Sequence, residues 1–532
     1  MSDCNGVVYT KDWVVSLVLD MAEYTEKQSV WKKTIVEPCC GQGAFLKQIV
    51  KRLLKSAQND NALDKRLIIN SLRSFDIDRH AVERSRNIIY EELKIFGFND
   101  NEADEIANEW VICDDYLLRE TIPADYVVGN PPYLKATEIP KSLKQQYIRK
   151  LSSMTKGTDI YVGFFQRGLE SLRDRDGVLC FICADRWLQN QYGKKIRELI
   201  AKHYHIDSII RMHDVDAFES TVSAYPAITR LDHGQGAIKY ANCNSSFAKE
   251  DASSLKAWLS NSRNASLSNA HFCTALLNQP TSSDMIPLSS SKAVDRITKL
   301  VENFPTLEEA GVKIGIGIAT GKDKVFITKS NNIVEKDRML PLFNMKDWRR
   351  NHNTDNNWLI NPWDKEGKLV NLRDYPLLEK YFEANRIEIS NRHIAKKKPA
   401  EWYRTIDKVN WNIYMKPLLL LPDISSKAVP VYSDGTRYPC HKCYWLSSDI
   451  WNMKVLGGLL ISDIVDSFID AIGVKMRGGA KRFQAQYLRL IRVPFPEKIH
   501  PEIANKLITA FDNNDLELAN EAALSAYGLE KY

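Results

Sequence analysis

No stretch of this chain is apolar enough to span a bilayer: no run approaches the ~18 apolar residues that a membrane helix needs. The opening MSDCNG lacks the basic-then-apolar pattern of a secretory signal. Cysteine is sparse, ten in 532 residues, and includes the adjacent pair Cys39-Cys40. That usage points to reduced thiols and a cytoplasmic protein rather than a disulfide framework. Half of a zinc motif, Cys440-His441-Lys442-Cys443, has no second pair at metal-site spacing, so no metal is expected. Charge of one sign is also lacking. The net of +6 permits a polyanionic partner without demonstrating one.

What is present is ordinary globular composition, 44% hydrophobic and 26% charged, in a chain long enough for two or three domains. From about residue 8 to 232, short β-rich runs alternate with helical patterns, the signature of a parallel α/β sheet. Seven strands are expected, at Thr34–Glu37, Ile68–Phe75, Trp110–Asp114, Tyr126–Gly129, Val178–Ala184, Ile206–Met212 and Ala227–Leu231. Helical patterns fall at Lys11–Ala22, Ala44–Ser56, Ala81–Phe96, Tyr161–Arg173 and Lys194–Lys202. Residues 241–290 hold twelve serines and few periodic segments, which reads as a connection. Residues 291–532 are rich in Trp and Tyr, mix short strands with helices and show no repeat. The expected domains are therefore 1–240 and 291–532.

After the first strand comes VEPCCGQGAF, Val36 to Phe45. Gly41 and Gly43 sit where the strand turns into a helix, and their missing Cβ atoms let a ligand approach the backbone. The loop is not a P-loop, because no Gly-Lys-Ser/Thr follows. It is not a dinucleotide fingerprint either: the third glycine is absent, and Glu37 would repel a pyrophosphate. Glu37 suits an ammonium or sulfonium group instead. The second strand ends at Asp76, placed to accept from ribose hydroxyls. The third ends at Asp115-Tyr116, an acceptor for an adenine amino group and a ring beside the base. Each acid alone is more often a helix cap. Three strand ends converging on one crevice describe a pocket for a nucleoside with a positive centre, S-adenosylmethionine.

The stretch DYVVGNPPYLK, Asp125 to Lys135, ends an apolar run with Asn130-Pro131-Pro132-Tyr133. Two prolines force the chain out of regular structure, and most such pairs are only turns. Together with the strand ends, however, the series resembles the γ-class, TaqI-like amino-methyltransferases that act on adenine N6 in DNA, and it does so over essentially the whole chain. GVVYTKDWV resembles the family's opening motif, which implies that Tyr9 and Thr10 close over the cofactor's methionine part; Lys11 stands where proline is usual. Glu37, Pro38, Cys39, Gly41 and Gly43 fall in the matching glycine motif, Asp76 in the ribose motif, and Asp115 and Tyr116 in the adenine motif. DIYVGFF implies Phe164 against the cofactor adenine, and VDAFESTVSAYPAI implies Phe218 beside the target base.

The resemblance implies a seven-stranded, mostly parallel Rossmann-like methyltransferase sheet followed by an α+β target-recognition domain. GIGIATGKDKVFI, Gly315 to Ile327, resembles the segment that opens that domain, and Lys475 to Pro496 the one that closes it. Residues 471–492 carry six Lys/Arg and no acid, so Lys475, Arg477, Lys481 and Arg482 are expected to face DNA phosphates. In Arg392 to Arg404, basic residues are interleaved with Trp402 and Tyr403. The implied activity draws two N–H groups of the adenine amino group onto Asn130 and the Pro131 carbonyl. Tyr133 then stacks on a base flipped out of the duplex.

Cytosine N4 remains open, although those enzymes usually begin the tetrad with Ser. Protein-glutamine and ribosomal-RNA methyltransferases share the tetrad but are usually far shorter. A combined restriction–modification subunit is a further alternative. The early cofactor motif leaves no room for an N-terminal nuclease, and Pro422-Asp423 lacks a nearby Glu-x-Lys. A non-catalytic DNA-binding subunit would not be expected to keep an intact tetrad. The expected partners are double-stranded DNA and a separately encoded cognate endonuclease, and the expected state is a monomer.

Overall fold

Val178–Ala184, VLCFICA, is buried along its whole length, as a strand covered by helices on both faces must be. It belongs to the first of two units, Met1–Val294 and Asp295–Tyr532, into which the chain divides. The computed structural model describes residues 9–529 except 221–224, 262–266, 284, 287, 289–296, 298, 352–356 and 473–479. Among the described residues no helix is long and apolar enough to cross a membrane.

The first unit is built on β1 (Ile35–Glu37), β2 (Leu72–Asp76), β3 (Val111–Cys113), β4 (Tyr126–Gly129), β5 (Val178–Ala184), β6 (His205–Arg211), β7 (Pro226–Asp232), β8 (Ile238–Cys243) and β9 (Phe272–Leu277). Its helices are α1 (Asp12–Met21), α2 (Ala44–Asn59), α3 (Lys65–Ile68), α4 (Arg79–Ile95), α5 (Asp100–Trp110), α6 (Lys141–Lys150), α7 (Tyr161–Ser171), α8 (Lys194–His203) and α9 (Ala252–Ser260). The strands form one sheet in the order β3-β2-β1-β4-β5-β7-β6-β8-β9. From β3 to β5 every pairing is parallel. β7 then runs antiparallel to both β5 and β6.

The expected seven-stranded, mostly parallel sheet is thus corrected to nine strands of mixed direction. Among the described residues between β6 and β7 there is no helical crossover, and a parallel neighbour would need one. The other two strands come from the expected connection. β8 and β9 each bury four of their six residues, an apolar signal that the serine content of the surrounding segment hides. Between them α9 buries Leu255 and Trp258. The expected strand Ile68–Phe75 starts only at Leu72, because Asp64 caps α3 by accepting from the Arg66 amide.

The second unit is α+β. Val312–Ile316, Cys443–Ser448, Leu418–Pro422 and Val431–Ser433 make one antiparallel sheet. A second sheet pairs Ile327–Thr328, Trp358–Ile360, Met339–Phe343 and Tyr438–Pro439. Leu419 and Leu421 face one core and Leu418 and Leu420 another, the alternation of a strand buried on both faces.

Candidate active site

Strand order reverses between β1 and β4, and a crevice opens there at the carboxyl ends of the strands, where open α/β sheets bind ligands. The crevice is a cavity of about 510 Å³. It is bounded by the acids Glu37, Asp76 and Asp115, by the rings of Tyr9, Tyr116 and Phe164, and by Asn130, Pro131 and Pro132. Thr10, Pro38, Cys39 and Gly41 complete the expected residues that line it.

The glycine loop is held by Asp76, whose two carboxylate oxygens accept the amides of Gly41 and Asp78, each at 2.9 Å. Gly41 has φ +50° and open space where a Cβ would stand. Gly43 does not line the cavity. At φ +81° it opens α2, and a Cβ there would meet Ile88 Cδ1 of α4 at 2.9 Å. Its role is to let the two helices pack, so the expectation of ligand approach at this glycine is corrected.

Glu37, Asp76 and Asp115 are pushed above the ordinary carboxylate range, in each case chiefly by burial. For Glu37 the charge of Asp76 adds to the effect. Glu37 is 1% exposed, and its Oε2 has no hydrogen-bond partner among the described residues. A buried acid in that state is stabilised by a cation. Asp115 accepts from the Tyr147 hydroxyl at 2.8 Å and from the Leu117 amide at 2.9 Å. Tyr116 stacks on Phe164, with ring centroids 6.0 Å apart and planes 16° from parallel. Among the lining residues that escaped the sequence reading are Tyr147 and Ile77. Tyr147 lies in a polar helix, and Ile77, set between Asp76 and Asp78, is 67% exposed at the cavity. An exposed isoleucine beside a carboxylate suits the apolar face of a nucleoside base.

Asn130 leaves β4 with its side-chain amide nitrogen donating to Thr10 Oγ1 at 3.1 Å. The Cys39 thiol donates to the Asn130 carbonyl at 3.3 Å. That thiol is pushed well above its usual range by burial and then by Glu37 and Asp76, which keeps it protonated and poorly nucleophilic. Beyond the prolines, the Ile160 amide donates to Leu134 O and the Ala136 amide to Asp159. Tyr133 meets Phe218 edge to face, with centroids 6.4 Å apart and planes at 86°. Phe218 arrives there because its loop pairs with the N-terminal motif. The Lys11 amide donates to Ala217 O at 3.0 Å and the Glu219 amide to Tyr9 O at 2.9 Å.

The basic stripe of the second unit is corrected. Lys481 is buried between Asp466 at 2.8 Å and Asp470 at 2.7 Å. Arg482 lies 3.5 Å from Asp423. Arg489 pairs with Glu308 and Arg492 with Glu309. The counter-charges come from elements distant in sequence, which a count of local acids does not see. Lys475 and Arg477 lie outside the described residues. Trp402 is buried beneath Arg386, so the interleaved aromatics include a core residue.

Residues 21–218 match the family described as Eco57I restriction-modification methylase. The chain is 37% identical to type II methyltransferase M.PaeR7I of Pseudomonas aeruginosa, over 99% of this chain and 92% of that protein. It is 32% identical to type II methyltransferase M.XhoI of Xanthomonas vasicola, over 100% and 98% respectively. In fold it is similar to the type IIL restriction-modification enzyme MmeI, solved in complex with DNA, with a TM-score of 0.62 at 11% identity, over 98% of this chain and 74% of that one. The methyl donor of such an enzyme is S-adenosylmethionine. Whole-length likeness above 30% identity, on a sheet whose reversal point carries these acids and the Asn-Pro-Pro-Tyr turn, means that the chain belongs to the type II DNA methyltransferases of restriction–modification systems.

Proposed function

We propose that this enzyme methylates the N6 amino group of an adenine flipped out of duplex DNA. The observation that carries the reading is the orientation of Asn130. Its amide nitrogen is committed to Thr10 Oγ1, which turns the acceptor oxygen to the opposite side. An exocyclic amino group is a poor nucleophile because its lone pair is delocalised into the ring. If Asn130 Oδ1 and Pro131 O each accept one N–H, the nitrogen is drawn toward tetrahedral geometry and its lone pair is released. The rigid prolines preorganise the second acceptor. S-adenosylmethionine, when bound, supplies an electrophilic sulfonium methyl.

In this reading Glu37 holds the cofactor's cationic end, Asp76 its ribose, and Asp115, Tyr116, Phe164 and Ile77 its adenine. Tyr9, Thr10, Pro38, Cys39 and Gly41 shape the walls. Tyr133 and Phe218 form the face presented to the flipped base. Met1 to residue 240 carry the chemistry, while residues 291–532 recognise the DNA sequence. The product protects host DNA from a cognate endonuclease. Single-molecule sequencing of DNA from cells expressing the protein tests this. N6-methyladenine in one recurring context supports it, and N4-methylcytosine alone overturns it.

A further inference from the structure

The loop that carries Phe218 leaves the sheet at the end of β6 and returns at the start of β7. These strands are antiparallel neighbours, with Arg211 opposite Ala227 and the Met212 amide donating to Pro226 O at 2.9 Å. A loop hung from two adjacent strands can swing about its stem unless the stem is held. Here one residue holds both sides. Asp185, the first residue after β5, receives the His213 ring on its carboxylate, Nε2 to Oδ2 at 2.6 Å. Its own amide donates to Tyr225 O at 2.9 Å. His213 is on the outgoing side of the loop and Tyr225 on the returning side.

The surroundings make this fastening rigid. Arg211 Nε stands 3.0 Å from His213 Nε2 and 3.3 Å from the same carboxylate oxygen, so the three side chains form one cluster. Asp185 and Arg211 are each 4% exposed. The His213 ring packs on Tyr225 with centroids 4.9 Å apart, and Arg186 covers Tyr225 at 4.9 Å. None of Asp185, Arg186, Arg211, His213 and Tyr225 lines the cavity. At the loop's other end Phe218 meets Tyr133, and there the loop is also held by the backbone bonds of residues 217–219 to Tyr9 and Lys11.

We propose that Asp185 and His213 are positioning residues for methyl transfer, clamping the stem of the 212–225 loop so that Phe218 faces Tyr133 beside the tetrad. The inference rests on the reading that these two rings face the target base. A misplacement on the order of 1 Å near reacting groups can cost about 10²-fold in rate.

The test compares His213→Ala with His213→Gln, whose amide N–H can reach the position of the imidazole Nε2. Single-turnover incorporation of tritiated methyl groups into unmethylated genomic DNA is measured, with calorimetric binding of S-adenosylmethionine as the control. His213→Ala is expected to slow incorporation about tenfold or more with cofactor affinity unchanged, and His213→Gln to recover most of the rate. A rate within about twofold of wild type, a matching loss of cofactor affinity, or no recovery by glutamine overturns the proposal. Should His213→Ala fail to fold, Tyr225→Ala tests the returning side with the same readouts. A wild type that methylates no adenine overturns the adenine reading, whereas a wild type and a His213→Ala variant that methylate it equally fast overturn the clamp alone.

Discussion

Thr10 and Asn130, 120 positions apart, share a hydrogen bond of 3.1 Å from the asparagine amide to the threonine hydroxyl. The bond exists because the N-terminal motif is laid against the Phe218 loop, which carries Thr10 to the end of β4. On the proposed reading, it makes the opening motif part of the catalytic geometry as well as of the cofactor wall. Thr10→Val keeps the shape but removes the acceptor. We expect a rate loss of about tenfold, since removing one preorganised polar contact is worth a few kcal/mol at most. Thr10→Ser should retain the wild-type rate, and steady-state kinetics on both variants decides. Equal activity in Thr10→Val would mean that the bond does not orient Asn130.

Glu37 gives a pH prediction with a definite sign. Its folded pKa is raised, by burial and then by Asp76. Above the unfolded glutamate value of about 4.3, the native state therefore holds a proton that the unfolded chain has lost. Stability of the ligand-free protein accordingly falls as pH rises from there through the raised folded value. A cationic ligand favours the carboxylate, so binding should release a proton and tighten with pH across the same window. Calorimetry in buffers of different ionisation enthalpy reads the proton count. Release by wild type and none by Glu37→Gln is the expected pair, and equal release by both would remove Glu37 from the account.

The two glycines of the cofactor loop should respond differently to alanine. Gly41→Ala meets no neighbour, so its cost is the left-handed backbone, about 1–2 kcal/mol. Gly43→Ala adds the 2.9 Å approach to Ile88, and overpacking contributes about 1–3 kcal/mol more. Thermal melting should rank Gly43→Ala as the less stable. The reverse order would contradict the packing role.

In the second unit, Lys481→Met should destabilise rather than weaken DNA binding specifically. It strands Asp466 and Asp470, and leaving charged groups unsatisfied costs about 1–3 kcal/mol, less here because both acids are partly exposed. The salt dependence of DNA binding reports phosphate contacts. It should be unchanged in Lys481→Met and flattened when Lys475 and Arg477 are neutralised together. Fluorescence anisotropy over a salt titration measures both. A flattened slope for Lys481→Met would show that this lysine faces DNA after all.

Much of the site was legible because its chemistry sits where apolar runs stop. Asp76 ends its strand and Asp115 and Asn130 follow theirs closely, and a strand end is visible without knowing the fold. Pairing across the chain is not visible in that way. The contact of Phe218 with Tyr133 depends on the backbone bonds that join Tyr9 and Lys11 to residues 217–219. Lys481 looked exposed because no acid is near it in sequence, yet Asp466 and Asp470 reach it from a neighbouring helix. β8 and β9 were hidden by serines that belong to the turns and to the exposed face of α9 rather than to the strands. Ile77 was overlooked because a lone apolar residue between two acids just past a strand end carries no polar chemistry of its own, whereas here it faces a cavity.

Nucleoside mass spectrometry of unmethylated DNA, treated with the purified protein and S-adenosylmethionine, tests the adenine assignment and the role of Asn130 together. Wild type should yield N6-methyldeoxyadenosine as the modified nucleoside. Asn130→Ala should yield it about 10²–10³ times more slowly while binding the cofactor normally. N4-methyldeoxycytidine as the product, or an Asn130→Ala variant as fast as wild type, would contradict the account.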